Sequence, residues 1–76
     1  MHEYSSYNEN MNIGEIIKGL RNEHGMTQTQ LASLLFTSQD TISLWERNKS
    51  LPDVRSVIKM ASIFNVSTDY ILGVEK

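Results

Sequence analysis

The sequence predicts an all-α fold, a compact domain of five short helices, on three observations. Apolar residues recur at intervals of three and four in successive blocks, the rhythm of a helix face, and nowhere keep the strict alternation of a strand. Most blocks open on a Ser, Thr or Asn that can cap a helix. One proline and four glycines in 76 residues leave the blocks uninterrupted.

The first block opens at Asn12, where Asn12 followed by Glu15 resembles a capping box, and Ile13, Ile16, Ile17 and Leu20 share one face. This helix is expected to run to about His24, with Gly25 as its stop. Thr27 and Gln30 form a second capping box, opening a helix of about two turns with Leu31, Leu34 and Leu35 inward. Ser38 is the next N-cap, and Ile42 with Trp45 gives the third helix its apolar edge up to Arg47.

Residues 48–52, NKSLP, read as a loop, with Pro52 near the start of the fourth helix, where its missing N–H does no harm. Val54, Val57, Ile58, Ala61 and Phe64 make that helix amphipathic, and Asn65 closes it. Ser67 caps a last short helix through Tyr70, Ile71 and Leu72, ended by Gly73. Residues 1–11 lack this periodicity and are rich in Ser, Asn and Glu, so they are expected to be a flexible N-terminal arm beside a folded domain of residues 12–74. The arm carries Tyr4 and Tyr7.

Composition narrows the function. The absence of cysteine excludes disulfides and thiolate metal sites and fits a reducing cytoplasm, the expected location. No apolar run reaches the roughly 18 residues of a membrane span. His2 and His24 are too few for a metal site, so surface histidine is the default. No nucleophile has a plausible His partner, no carboxylates are paired inward and no Gly-rich phosphate loop is present, so no catalytic residue, no cofactor and no small-molecule ligand is expected. A second domain to carry a sensor is not expected within these 76 residues. A net charge of −2 counts against a nucleic-acid partner, yet four of the seven basic residues, Arg47, Lys49, Arg55 and Lys59, fall between positions 47 and 59.

Helices two and three are joined by only Phe36, Thr37 and their neighbours, too short a link for side-by-side packing, so the two should cross steeply. A steep pair whose second helix is polar outside is the helix-turn-helix geometry that enters a major groove. On the third helix Ile42 and Trp45 point inward, leaving Gln39, Asp40, Ser43 and Leu44 outward. Gln can pair bidentately with adenine, Asp can accept from cytosine and Leu can pack on a thymine methyl.

Five segments then stand in a telling order: MTQTQLA at 26–32, SQDTISLWE at 38–46, LPD at 51–53, FNVS at 64–67 and DYILG at 69–73. They resemble the phage repressor and Cro-like helix-turn-helix family, also called the xenobiotic-response-element type, over residues 12 to 73. The resemblance implies the lambda-repressor-like five-helix fold and a homodimer on a palindromic operator in double-stranded DNA. It further implies regulation of transcription, as a repressor, with helix three in the major groove.

By position, Gln39, Asp40, Ser43 and Leu44 match base-facing sites in that family. Gln28 would bond a phosphate through its side chain and backbone amide, Ser38 and Thr41 sit where backbone contacts occur, and Arg47, Asn48, Lys49 and Arg55 match phosphate clamps. Arg21 and Glu46 match a structural ion pair, and Trp45 a core residue. Val66, Tyr70, Ile71 and Val74 are apolar candidates for a dimer contact or, equally, for the core.

Three departures stand out. Phe36 replaces a usual Gly after helix two, so it either takes a positive φ or changes the turn. Asn48 replaces another Gly, a mild change because Asn tolerates the left-handed region. Asp40 and Leu44 bring an acid and an apolar residue to a surface that often carries Lys or Arg. The alternative reading is a protein-binding module that keeps the fold, with Leu44 as the anchor in a partner's groove.

Overall fold

The computed structural model describes residues 12–74, and all five expected helices are present: α1 (Ile13–Glu23), α2 (Gln28–Leu34), α3 (Gln39–Glu46), α4 (Val54–Phe64) and α5 (Thr68–Leu72). The arm assigned to residues 1–11 lies outside the described residues. α2 packs on α3, α1 lies across α3 and α5, and α4 packs on α5. The core between them is built from Ile13, Ile17 and Leu20 of α1, Leu31 and Ala32 of α2, Leu35, Ile42 and Trp45, Val57, Met60 and Phe64 of α4, and Ile71 of α5.

Four helix starts are capped by a side chain from the residue just ahead of them. Thr27 and Gln30 form the full capping box: the Gln30 N–H donates to Thr27 Oγ1 at 3.0 Å and the Thr27 N–H to Gln30 Oε1 at 2.8 Å. Ser38 and Ser67 accept from the Thr41 and Tyr70 N–H groups. Asp53, unremarked as a cap in the sequence, caps α4 by accepting from the Ser56 N–H and hydroxyl. Pro52 therefore stands ahead of the cap, outside the helix.

The capping box expected at Asn12 does not form. Asn12 spends its side-chain N–H on Glu15 Oε1 at 2.6 Å, and its backbone leaves the extended region that a capping side chain needs. The start of α1 is satisfied from far along the chain instead: the Gly14 N–H donates to Asn48 Oδ1 at 3.0 Å.

All five helices end alike, with the chain turning left-handed at Gly25, Phe36, Asn48, Asn65 and Gly73. Behind α2, the Phe36 N–H bonds the Ser33 carbonyl and the Thr37 N–H reaches back to Ala32 at 2.9 Å. The Asn48 and Lys49 N–H groups close α3 onto Trp45 and Leu44 in the same way. Phe36 thus takes the positive φ, 57°, rather than changing the turn. Its ring points outward, 86% exposed, with Lys59 Nζ 4.5 Å from the ring centre.

Two core assignments are corrected, on α2 and on α4. Leu34 is 45% exposed because Leu31 and Leu35, one turn apart, take the inward positions and leave it on the flank. On α4 the inward stripe is Val57, Met60 and Phe64 with Ala61 partly buried, so Ile58, about 100° round the helix from Val57, faces out with Val54. Of the four residues left open between a dimer contact and the core, Ile71 is fully buried and Val66 packs partly buried on the core, while Tyr70 and Val74 are exposed.

Candidate nucleic-acid interface

The site is organised around one buried ion pair. Arg21 of α1 and Glu46, the last residue of α3, meet at 2.6 Å (Nε to Oε2), and a second Arg21 nitrogen reaches Glu46 Oε1 at 3.0 Å. The third guanidinium nitrogen donates to the Met26 carbonyl at 2.8 Å, fixing the turn that leads into α2. Burial alone would push the Glu46 carboxyl up. Hydrogen bonds from Arg21 and Gln28, with the Arg21 charge, outweigh that and hold it below its ordinary value. The hydrogen bond to Glu46 raises the Arg21 pKa in turn.

From this pair a chain of hydrogen bonds runs to the surface. Gln28 Nε2 donates to Glu46 Oε1 at 3.0 Å, and Gln39 Nε2 donates to Gln28 Oε1 at 2.6 Å. The direction is dictated chemically. A carboxylate can only accept, so Gln28 must turn its NH2 group toward Glu46 and its carbonyl toward Gln39. Gln39 must then donate, which leaves its own carbonyl and second N–H for an outside partner. An acceptor beside a donor on one amide is the arrangement that matches adenine N6 and N7 in a major groove.

The remaining residues assigned to the site fall into small groups. Gln39 and Asp40 are exposed in the first turn of α3, Ser43 is half-buried and Leu44 is 38% exposed. The Ser38 and Thr41 hydroxyls bond each other at 2.9 Å. Arg47 Nε donates to Ser43 Oγ at 3.2 Å, so that serine is tied to a cation rather than isolated. Lys49 is exposed in the loop after α3. Arg55 is exposed at the start of α4, where it lines a depression with Leu35, Phe36, Thr37, Asp53, Ser56 and Lys59 beside the α2–α3 turn.

Two residues do more structural work than their sequence positions suggest. Gln28 is drawn inward, one N–H on Glu46 and its carbonyl on Gln39, so most of its side-chain bonding capacity is used within the fold. Asn48 commits Oδ1 to Gly14, with only a 3.5 Å contact from Nδ2 to Asn12 besides. Glu46, read from sequence as an ion-pair partner alone, is also the anchor for Gln28. No local pattern in the sequence marks this bond, which joins α2 to the end of α3 across 18 residues.

Among the described residues no cluster of His, Cys, Asp and Glu could hold a metal ion, and no helix is long and apolar enough to cross a membrane.

Comparison with known proteins bears on the family and the fold. The helix-turn-helix family model matches residues 17–71. The HTH-type transcriptional regulator ImmR of Bacillus subtilis is 36% identical over 63 residues, covering 83% of this chain and 50% of ImmR. The HTH-type transcriptional activator BcrR of Enterococcus faecalis is 35% identical over 66 residues, covering 87% of this chain and 32% of BcrR. This chain thus spans half or less of the length of these two relatives. Among solved structures, the P22 c2 repressor in complex with a synthetic operator superposes with a TM-score of 0.77 at 27% identity, covering 83% of this chain and 96% of the repressor. With five helices, a capped α2–α3 pair and a family match across most of the domain, the chain belongs to the helix-turn-helix family.

Proposed function

We propose that this chain is a sequence-specific double-stranded DNA-binding regulator of transcription that acts in the cytoplasm as a homodimer on a palindromic operator, with α3 in the major groove. The observation that carries this reading is the Gln39–Gln28–Glu46 chain, which orients an exposed amide at the start of α3 from a buried charge. In this reading Gln39 pairs with adenine, while Asp40, Ser43 and Leu44 meet neighbouring bases. Ser38, Thr41, Arg47, Lys49 and Arg55 contact phosphates, and Gln28 and Asn48 do so only with the groups their internal bonds leave over.

The P22 c2 neighbour is a repressor bound to operator, which favours repression by occupancy as the reading proposed here, while BcrR is an activator. The test is a titration of a short mixed-sequence duplex at several salt concentrations. Affinity should fall with log salt at a slope of about −0.9 per phosphate contact, and Lys49→Ala should reduce the slope by about one unit. A folded protein with no affinity at low salt would sink the reading.

A further inference from the structure

The residue least accounted for by the fold is Phe36. Its backbone is left-handed, φ 57°, a conformation that a side chain disfavours and a glycine adopts freely. The ring gains no place in the core and stands 86% exposed. Backbone strain that no core packing offsets points to a side chain kept for what it meets outside the fold.

The ring does not stand alone. Lys59 reaches it from α4, with Nζ 4.5 Å from the ring centre. Between the turn after α2 and the first turns of α4 lies a depression of about 290 Å3, with Leu35, Phe36, Arg55 and Lys59 in its lining. Its charge is one-sided in effect. Asp53, the acid on the rim, has both carboxylate oxygens turned to Ser56, accepting from the N–H and from the hydroxyl. The Arg55 charge acts on Asp53 only through space, and among the described residues neither Arg55 nor Lys59 forms an ion pair. A ring engages one side of an ammonium, so Lys59 keeps N–H groups for an acceptor.

We propose that this depression is a docking site for an acidic segment of a partner protein, a stretch in which one large apolar side chain is flanked by Asp or Glu. The apolar side chain sits over Leu35 against the Phe36 ring, and the flanking carboxylates meet Lys59 and Arg55. Charge complementarity sets the sign of the partner. Size sets its kind: about 290 Å3 lies at the bottom of the range for small-molecule sites, room for a side chain rather than for a base with its sugar and phosphate. Arg55 is also one of the proposed phosphate contacts, so a seated partner takes that cation away from a duplex. This consequence rests on the duplex-binding reading above, whereas the docking itself does not.

The probe is a blocked synthetic peptide, Glu-Asp-Leu-Trp-Glu-Asp, titrated into the isotope-labelled full chain at low salt and followed by backbone amide shifts. Binding is expected at a dissociation constant of about 1 mM or below, with shifts centred on Phe36, Thr37, Ser56 and Lys59. The uncharged counterpart Gln-Asn-Leu-Trp-Gln-Asn and the apolar-free Glu-Asp-Ser-Ser-Glu-Asp should each bind at least about fivefold more weakly. Phe36→Gly separates docking from folding, because it relieves the turn: it should weaken the peptide by about fivefold or more while the urea midpoint holds or rises. Lys59→Gln should weaken the charged peptide and leave the uncharged one unchanged.

Unchanged binding in Phe36→Gly, shifts centred on Arg47 and Lys49 instead, or a single-stranded thymidine oligonucleotide that occupies this site more tightly than the peptide overturns the proposal. Added duplex should displace the peptide. A peptide that binds at Phe36 while the duplex neither binds nor displaces it supports the docking and counts against duplex binding.

Discussion

Gln39 donates its side-chain N–H to Gln28 Oε1 across 2.6 Å, joining the first residues of α3 and α2 side chain to side chain. The bond would be ambiguous in isolation, since either amide could serve as donor. Glu46 removes the ambiguity by demanding the Gln28 NH2 group. A buried charge thereby sets which half of a surface amide is offered outward.

Loss of Gln28 should therefore be felt as lost discrimination more than lost affinity. Gln28→Ala frees Gln39 to present either half of its amide, and preference for the adenine-bearing duplex over its substituted counterpart should drop by about 1–3 kcal/mol. Competition between the two duplexes at fixed salt measures this. An unchanged preference would mean that Gln39 needs no orienting partner.

The ion pair should govern stability in acid. The Glu46 carboxyl is held below its ordinary value of 4.5, so the folded chain releases that proton more readily than the unfolded one. Its stabilisation is fully present above about pH 4.5 and is lost as pH falls through the lower folded value. The hydrogen bond to Glu46 shifts Arg21 further upward, so it keeps its charge throughout this range. Denaturation followed by the buried Trp45 should show this acid decline. Glu46→Gln should cost about 3–5 kcal/mol at neutral pH by leaving Arg21 buried and unpaired, and should flatten the acid slope.

Asn48 performs two tasks that substitution can separate. Asn48→Gly keeps the left-handed turn, at φ 58°, but removes the acceptor for the Gly14 N–H, and should cost about 1 kcal/mol. Asn48→Ala adds the strain of a Cβ in that conformation and should cost about 2–3 kcal/mol. Gly14 is the other half of this junction. A Cβ there would sit 2.5 Å from the Trp45 carbonyl oxygen and 2.7 Å from that of Glu46, so Gly14→Ala should cost about 2–3 kcal/mol by forcing α1 off the end of α3. Urea denaturation of the three variants checks the order.

Phe36 is the one position where the sequence works against its own turn. An outward ring gains only the Lys59 contact, while its backbone bears a left-handed conformation that costs about 1–2 kcal/mol for such a residue. Phe36→Gly should raise stability by about 0.5–1 kcal/mol, measured as a shift in the urea midpoint. A loss of stability would show that the ring makes contacts beyond Lys59.

Periodicity and caps read from the sequence place five helices within a residue or two, because local chemistry decides those features. Thr27 with Gln30, Ser38 and Ser67 act through bonds three residues long, visible in a linear chain. Asn12 fails as a cap for a reason 36 residues away: Asn48 already satisfies the start of α1. On α4 Val57, Ala61 and Phe64 face inward as their spacing predicts, but Met60 rather than Ile58 completes the stripe, because both are apolar and only the placement of the rest of the core decides which one it covers. At the candidate interface, the residue types on α3 were legible from spacing. The bond from Gln28 to Glu46 was not, because it spans two helices and depends on Arg21 holding the carboxylate in place.

The central claim is that α3 reads bases through Gln39, and enrichment from a random duplex pool at moderate salt tests it most directly. The unaltered chain should retain a twofold motif with half-sites about 34 Å apart. Gln39→Ala, shown to be folded, should retain a motif degenerate at one position in each half. A folded chain that enriches nothing, or a Gln39→Ala variant that enriches the unaltered motif, would contradict it.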